Sequence, residues 1–241
     1  MDIKTGDSFP VFLKKHERMK KIVVLTGAGI SAESGISTFR DSNGLWENHD
    51  IMEVASPQGW ENHPELVLNF YNLRRKQLKE VEPNPAHHFL KELEEKYKVV
   101  IITQNVDDLH ERAGSSRIIH LHGELLKARS EKNENLILDW EEEIHLGDWA
   151  DDGAQLRPHI VWFGEMVPMM EKAIEEVSDT DILLIIGTSL QVYPAASLID
   201  FIGNGKPIYV IDPNPVSIGH HNPNIKFICK TATEGIKELG F

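Results

Sequence analysis

Short, mostly apolar runs separated by longer stretches of mixed polarity make up most of this chain. The runs lie at residues 22–25, 99–103, 182–186 and 208–211. A run without polar alternation is typical of a strand buried on both faces of a parallel sheet. Helical spacing between the runs predicts helices over residues 65–78, 86–96 and 169–177. Strands that alternate with helices predict an α/β fold with a doubly wound, Rossmann-like parallel sheet.

The first apolar run leads directly into Gly27-x-Gly29-x-x-Ala32. Gly27 allows a tight turn, Gly29 lets the backbone approach a pyrophosphate, and Ala32 permits a helix to pack closely with its N-terminus towards the phosphates. This pattern predicts a dinucleotide site. A dehydrogenase would also place an acidic residue about 20 positions on, at the end of a second strand. Residues 36–46 are loop-like instead, which argues against hydride transfer.

Polar residues follow several of the other apolar runs. Because the carboxyl ends of parallel strands meet at one edge of a sheet, such residues are candidates for a shared site. The candidates from this rule are Gln104, Asn105, Asp107, His120, His122, Gly187, Thr188, Ser189, Asp212 and Asn214. On the helix over 65–78, the spacing places Leu66, Phe70, Leu73 and Gln77 near one apolar face.

Composition narrows the possible partners. The chain has 241 residues, is 41% hydrophobic and carries a net charge of −13, which argues against nucleic acid as a partner. It has no apolar run long enough to span a membrane and no signal peptide, so we expect a cytoplasmic protein that does not bind membranes. We also expect a monomer. Its one cysteine, Cys229, lies in an apolar run and is expected to be a core thiol. Residues 1–18 form an N-terminal extension without assigned chemistry.

Several segments together resemble the sirtuin family of NAD-dependent protein-lysine deacylases. They are residues 27–31, 35–40, 44–46, 103–107, 122–125, 161–165 and 187–189, which run in the family's order within 19–241. The resemblance implies a Rossmann lobe, a small lobe and a cleft in which NAD and the acyl-lysine meet. The Rossmann lobe takes residues of about 19–45, 81–124 and 157–241, and the small lobe takes about 46–80 and 125–156.

The same resemblance implies the chemistry of the site. Its products are nicotinamide and O-acyl-ADP-ribose, and a ribose hydroxyl must lose a proton along the way. A histidine suits that transfer, and by resemblance it is His122, which the neighbouring Gly-Glu-Leu distinguishes from His120. Asn105 and Asp107 are expected to hold the nicotinamide carboxamide and order the ribose, although a turn or a helix cap would also favour these residues.

The resemblance also implies which other residues contact the cofactor and the peptide substrate. For the cofactor these are Gly27, Ala28, Gly29, Ile30, Ser31, Phe39, Arg40, Trp46, Gln104, Gly187, Thr188, Ser189, Asp212, Asn214 and Ala232. Asp212 stands where many relatives carry asparagine. For the peptide substrate they are Val161, Phe163, Gly164 and Glu165, through strand addition.

Acyl selectivity is expected to depend on Tyr71 and Arg74, which are three residues apart and so share a helix face. An arginine in an apolar acyl tunnel is costly unless it meets an anion, and succinyl and malonyl groups supply one. Together with the small Ala55, this combination resembles the desuccinylase and demalonylase branch, with weaker deacetylation retained. The alternative is an exposed basic face of Arg74 and Arg75, with Tyr71 in the core.

The chain departs from the family in its small lobe. Most relatives hold a structural zinc ion with four cysteines, but no cysteine occurs between Leu125 and Arg157, where only His145 could join acidic ligands. Zinc is therefore not expected. Packing is expected to replace it, through Leu136, Ile137, Leu138, Trp140 and Trp149.

Two other functions stay open at this point. A sirtuin-like ADP-ribosyltransferase would release nicotinamide without an acyl-lysine. A non-enzymatic module that binds NAD or ADP-ribose would not need His122, Asn105 and Asp107. A dehydrogenase is a more distant third.

Overall fold

The structure is a computed structural model that describes residues 18–37, 45–46, 49–216, 218 and 223–241. Its strands are β1 (Lys21–Thr26), β2 (Leu45–Trp46), β3 (His49–Asp50), β4 (Lys98–Thr103), β5 (Ile118–His120), β6 (Gly123–Ser130), β7 (Ile137–Asp139), β8 (Leu156–Ile160), β9 (Ile182–Ile186), β10 (Ile208–Ile211) and β11 (Ile225–Ile228). Its α-helices are α1 (Ile51–Val54), α2 (Pro57–Asn62), α3 (Pro64–Leu78), α4 (Pro85–Leu93), α5 (Leu109–Arg112), α6 (Met170–Ser178) and α7 (Ala232–Gly235).

Six strands form one sheet in the order β11-β10-β9-β1-β4-β5. All neighbouring pairs are parallel, so the predicted doubly wound Rossmann-like sheet is confirmed. The apolar runs are buried because side chains of alternate residues enter separate cores on the two faces of the sheet. Val23 and Leu25 pack on one face, and Ile22 and Val24 pack on the other.

Helix α3 begins at Pro64, whose missing N–H costs nothing in the first helical turn. Its predicted apolar face is partly wrong, because Leu73 is 66% exposed. The buried residues of the helix are Val67, Leu68, Phe70, Tyr71, Asn72, Arg75 and Leu78. The buried face therefore includes an amide and a guanidinium, which an apolar pattern does not count.

A second, antiparallel sheet has the order β7-β6-β8 and packs against α3. Its core consists of Leu68, Ala128, Ile144, Ala150 and Leu156, with Trp60, Leu136, Leu138 and Trp140 partly buried against them. The packing predicted for Ile137 and Trp149 is wrong, since they are 42% and 64% exposed. Both are apolar residues at the surface, and the sequence alone does not indicate which apolar residues the fold leaves exposed.

A buried amide helps to hold this smaller sheet to α3. Asn72 is 6% exposed, and its side chain accepts a bond from the Ile144 N–H and donates one to the Ile144 carbonyl, both at 2.9 Å. Arg75 donates to Asn72 Oδ1 at 3.1 Å and to the Lys127 carbonyl at 3.2 Å. The segment between β7 and β8 is thus fixed by polar side chains of α3.

Residues 125–157 do not fit the structural zinc site of the family, because they contain no thiolate and only one imidazole. No group of three or more histidine, cysteine or acidic side chains placed to hold a metal ion occurs in the described ranges. None of the helices in the described part of the chain has the length and apolar character that crossing a bilayer requires.

Candidate active site

The carboxyl ends of the six parallel strands lie at one edge of the large sheet, and the candidate residues follow them. Gly27 follows β1, Gln104 follows β4, His122 follows β5 and Gly187 follows β9. Gln104 Nε2 donates to Thr188 Oγ1 at 3.0 Å, which links the loops after β4 and β9. The structure therefore brings most of the predicted cofactor residues together.

Two glycine loops pack directly against each other at this edge. A Cβ at Gly27 would lie 2.7 Å from Thr188 Cβ, and one at Gly29 would lie 2.6 Å from Gly187 Cα. Gly187 itself has φ +66° and faces the backbone of Ile30 and Gly29. These glycines are thus required by contact between the loops, as well as by any approach to a pyrophosphate.

The prediction of one helix packed after the glycine turn is wrong, because no α-helix forms over residues 28–37, which the structure describes. Two three-residue 3₁₀ helices, Ala28–Ile30 and Ala32–Ser34, replace it. Ala28 is half-buried, whereas the Ile30 side chain is fully buried in the core and its N–H and carbonyl bond to Gly27 and Asn84. Glu33 then accepts two bonds from Thr233, at 2.9 and 2.6 Å, which places Ala232 and α7 beside this loop.

His122 is half-buried two residues after the end of β5, and its Nδ1 lies 3.0 Å from the Gln104 carbonyl oxygen. A carbonyl only accepts, so Nδ1 carries the hydrogen and the neutral ring presents a basic Nε2. Burial lowers the pKa of His122 below its ordinary 6.5, although the bond to Gln104 opposes this shift. The ring is therefore neutral near pH 7, as a general base must be.

Ser31, Asn105 and Asp107 form a buried chain of hydrogen bonds. Asn105 Nδ2 donates to Ser31 Oγ at 3.1 Å, and Ser31 Oγ donates to Asp107 Oδ2 at 3.0 Å. Burial raises the pKa of Asp107 to about 6, against the bonds from Ser31 and the Leu109 N–H, which lower it. An amide and a carboxylate are thus held in fixed positions beside the glycine loop.

A cavity of about 230 Å³ opens at the ends of β10 and β11, and its lining includes Asp212 and Asn214. Asn214 N donates to Asp212 Oδ1 at 2.9 Å. Phe227 and Cys229 also line the cavity, and the expectation of a core thiol is wrong because Cys229 is exposed. The rule that placed Asp212 at a strand end would also have placed Cys229 there.

The predicted acyl-binding residues converge on α3 and the segment after β8. The Tyr71 hydroxyl is fully buried and accepts a bond from Trp162 Nε1 at 3.1 Å. Ala55 packs in the same apolar cluster, and its carbonyl accepts from Phe163 N at 2.9 Å. Burial raises the pKa of Tyr71 well above 10, while the charge of Arg74 acts to lower it.

Arg74 is half-buried. Its guanidinium lies 3.3 Å from the centre of the Phe70 ring and donates to the Phe70 carbonyl at 2.9 Å. Arg75 is 1% exposed, and burial lowers its pKa to about 10. The alternative of an exposed basic face is therefore wrong for Arg75, although Tyr71 does lie in the core as that alternative required.

Glu165, predicted to contact substrate, is held by ion pairs within the chain. Its carboxylate lies 2.8 Å from Arg157 Nη1 and 3.2 Å from Arg129 Nη2, and it accepts from Trp162 N at 2.8 Å. Arg157 also stacks over the Trp162 ring at 3.3 Å. Glu165 thus fixes the segment that contains Trp162, while Val161 is half-buried and Phe163 and Gly164 are exposed beside it.

The side chains of three predicted cofactor residues lie outside the described part of the structure. Phe39 and Arg40 lie outside the described residues, and Trp46 is described only as part of strand β2. Ser189 is half-buried after Thr188 and completes the loop that follows β9.

The profile of the Sir2 family matches residues 27–194, which include both glycine loops, His122 and the segment after β8. The chain belongs to the Sir2 family. The resemblance to sirtuins read from the separate motifs is therefore confirmed.

Two relatives of this Sir2 protein match it over nearly their whole length. A protein of Helicobacter pylori named NAD-dependent protein deacylase is 60% identical over 221 residues, which cover 92% of this chain and 96% of its own. One of the same name from Bacteroides thetaiotaomicron is 55% identical over 227 residues, with 92% and 97% covered.

Solved structures agree with the fold. A NAD complex of a Sir2 homologue has a TM-score of 0.79 at 40% identity, covering 91% of this chain and 87% of its own. A structure described as Sir2 bound to acetylated peptide has a TM-score of 0.75 at 29% identity, covering 90% and 91%.

Proposed function

We propose that this protein is an NAD-dependent protein-lysine deacylase that removes succinyl and malonyl groups, and acetyl groups more slowly, with nicotinamide and O-acyl-ADP-ribose as products. The coarser activity, NAD-dependent protein deacylation, is the one carried by relatives up to 60% identical. Acylated proteins are its substrates in that activity. The acyl preference and the role of each residue are our own proposal.

The described residues fit NAD. The two glycine loops suit phosphates, since their small residues allow close approach of the backbone. Asp212 and Asn214, which line the cavity after β10, suit the adenosine ribose. The amide of Asn105 and the carboxylate of Asp107 suit the nicotinamide carboxamide, because they supply a donor and an acceptor.

When bound, NAD supplies a ribose carbon that becomes electrophilic as nicotinamide leaves as a neutral pyridine. His122 then removes a proton from a ribose hydroxyl at Nε2, while Nδ1 keeps its bond to the Gln104 carbonyl. The ring orientation does not change during this transfer, because the bond to a backbone carbonyl holds it. General base catalysis of this kind contributes roughly 10²–10⁴-fold to rate.

The observation that carries the acyl preference is the position of Arg74. Its guanidinium is half-buried over Phe70 and close enough to Tyr71 for its charge to act on that hydroxyl. A cation held in an apolar cluster gains most from an anion that arrives with the substrate, since an ion pair is stronger where water is excluded. A dicarboxylic acyl group carries that anion, whereas an acetyl group does not.

The test compares kcat/KM for one peptide carrying acetyl-, succinyl- or malonyl-lysine. We expect Arg74→Met to lower kcat/KM for the two acidic acyl groups about tenfold or more, a loss typical of removing a charge partner, and to leave the acetyl value within about twofold. Lys76→Met, an exposed neighbour on α3, is the matched control. Equal losses for all three acyl groups would contradict the role of Arg74.

A further inference from the structure

The pair formed by His120 and Glu111 has no role in the function proposed above, yet it lies beside the site. His120 Nε2 is 2.7 Å from Glu111 Oε1, and its Nδ1 is 3.3 Å from the Asn105 carbonyl oxygen. A carboxylate and a carbonyl both accept, so both ring nitrogens carry hydrogens. The geometry therefore suits the imidazolium form.

His120 and His122 hold two successive carbonyls of the loop after β4. His122 bonds the Gln104 carbonyl, and His120 bonds that of Asn105. The Asn105 peptide is also held from within the loop, because its N–H donates to Thr103 Oγ1 at 3.0 Å. This double attachment fixes the backbone from which the Asn105 side chain extends.

His120 and Asp107 line the same cavity of about 140 Å³, together with Glu111 and Glu124. The charge of His120 acts to lower the pKa of Asp107, against the burial that raises it to about 6. Burial lowers the pKa of His120, but the bond and charge of Glu111, with Glu124, raise it above 6.5 overall. Glu111, Glu124, Asp107 and His110 act on His120 or respond to its charge, and Asp108 raises the pKa of Asp107. The other charged groups that line the cavity are Lys127, Asp139 and Glu141.

We propose that His120 and Glu111 are positioning residues that keep Asp107 ionised and thereby extend NAD binding to lower pH. The proposal rests on the function proposed above, because it requires NAD to bind next to Asp107. An ionised carboxylate is a strong acceptor for the carboxamide and attracts the positively charged pyridinium, whereas a protonated carboxyl group is a weaker acceptor and has no charge. Without a charged His120, Asp107 takes up its proton at a higher pH.

The test measures the dissociation constant for NAD by calorimetry from pH 6 to pH 8.5. In Glu111→Gln and in His120→Asn, we expect NAD affinity to fall about three- to fivefold near pH 6–6.5, as a rise of about one unit in the pKa of Asp107 implies. For Glu111→Gln the difference from wild type disappears at pH 8.5, where Asp107 is ionised in both. Glu111→Asp should restore the wild-type profile, and Glu175→Gln, an exposed change on α6, should not alter it.

A second measurement does not depend on NAD. Histidine resonances titrated by NMR should give a pKa for His120 above 6.5 in the wild type and a lower one in Glu111→Gln, with His120→Asn identifying the signal. The Glu111 side chain is 40% exposed, so the Glu111→Gln variant should fold and melt like the wild type.

The outcomes separate this proposal from the function on which it rests. If the wild type binds NAD and every variant shows the same pH dependence, the proposal for His120 and Glu111 is overturned and the deacylase stands. If the wild type does not bind NAD at any pH, both are wrong.

Discussion

The two sheets of the molecule place their polar groups in opposite ways. The six-stranded sheet is mostly apolar along its strands, and most candidate site residues follow the strands at one edge, as His122 follows β5. The smaller sheet has polar groups in its interior, where Asn72 and Arg75 join α3 to the backbone of neighbouring segments. Under the proposed function, the large sheet keeps stability and chemistry apart, whereas α3, beside the smaller sheet, contributes to both.

This difference predicts which substitutions should alter activity and stability independently of each other. A substitution at the edge of the large sheet should alter chemistry without unfolding the protein. A substitution on α3 should alter stability at Asn72 and, under the function proposed above, acyl choice at Arg74, because one helix carries both side chains. The following predictions test that separation.

The largest effect is expected from His122→Ala. Loss of the general base should lower kcat about 10²–10⁴-fold for every acyl group, because the proton transfer is common to all of them. The melting temperature should stay close to that of the wild type, since His122 is half-buried after β5. A parallel loss of stability would break the separation of chemistry from folding in the large lobe.

The next effect concerns the small lobe. Asn72→Ala leaves the Ile144 N–H and carbonyl without their partner and removes one acceptor from Arg75. We expect the free energy of unfolding to fall by about 2–4 kcal/mol, measured by urea denaturation. Asn69→Ala, at an exposed position on the same helix, is the matched control. A similar loss in both variants would indicate a general effect of helix substitution.

The smallest effect concerns two histidines buried in the large lobe. His87 and His110 pack edge to face at 4.9 Å. Burial lowers the pKa of His87 to about 4 and that of His110 well below 6.5. Below pH 6.5 the unfolded chain binds protons that these buried rings do not, so they cost stability as the pH falls towards 4.

The variant His87→Gln isolates the contribution of His87 to the pH dependence of the unfolding free energy. Other groups contribute too, such as Asp107, whose raised pKa increases stability as the pH falls. Between about pH 6 and 4.5, the unfolding free energy of His87→Gln should fall less steeply than that of the wild type, by about 1.4 kcal/mol per pH unit. His63→Gln, at an exposed histidine, should keep the wild-type slope. Parallel slopes for all three proteins would contradict the assignment.

Most of the large sheet could be predicted because its strands are continuous apolar runs with polar ends. The predicted runs at 182–186 and 208–211 coincide with β9 and β10. The position of the candidate residues at this edge could be predicted for the same reason, since polar residues at the end of a buried strand lie at the carboxyl edge of the sheet.

The small lobe could be predicted much less well. Its interior contains Asn72, Arg75 and Arg157, which are polar in sequence and buried only because each finds a specific partner. Trp149 and Ile137 show the reverse case, in which apolar residues stay exposed. A hydrogen bond between residues distant in sequence, such as that between the Asn72 side chain and the Ile144 backbone, leaves no local pattern in the sequence.

The central claim is tested most directly with the wild-type protein and one peptide sequence that carries acetyl-, succinyl- or malonyl-lysine, with and without NAD. The measurement is kcat/KM for each peptide, with mass spectrometry of the products. We predict turnover only with NAD, with the acidic acyl groups preferred and O-acyl-ADP-ribose and nicotinamide formed. Acetyl turnover equal to or better than succinyl and malonyl turnover would contradict the acyl preference, and nicotinamide release that does not depend on an acyl-lysine would favour an ADP-ribosyltransferase instead.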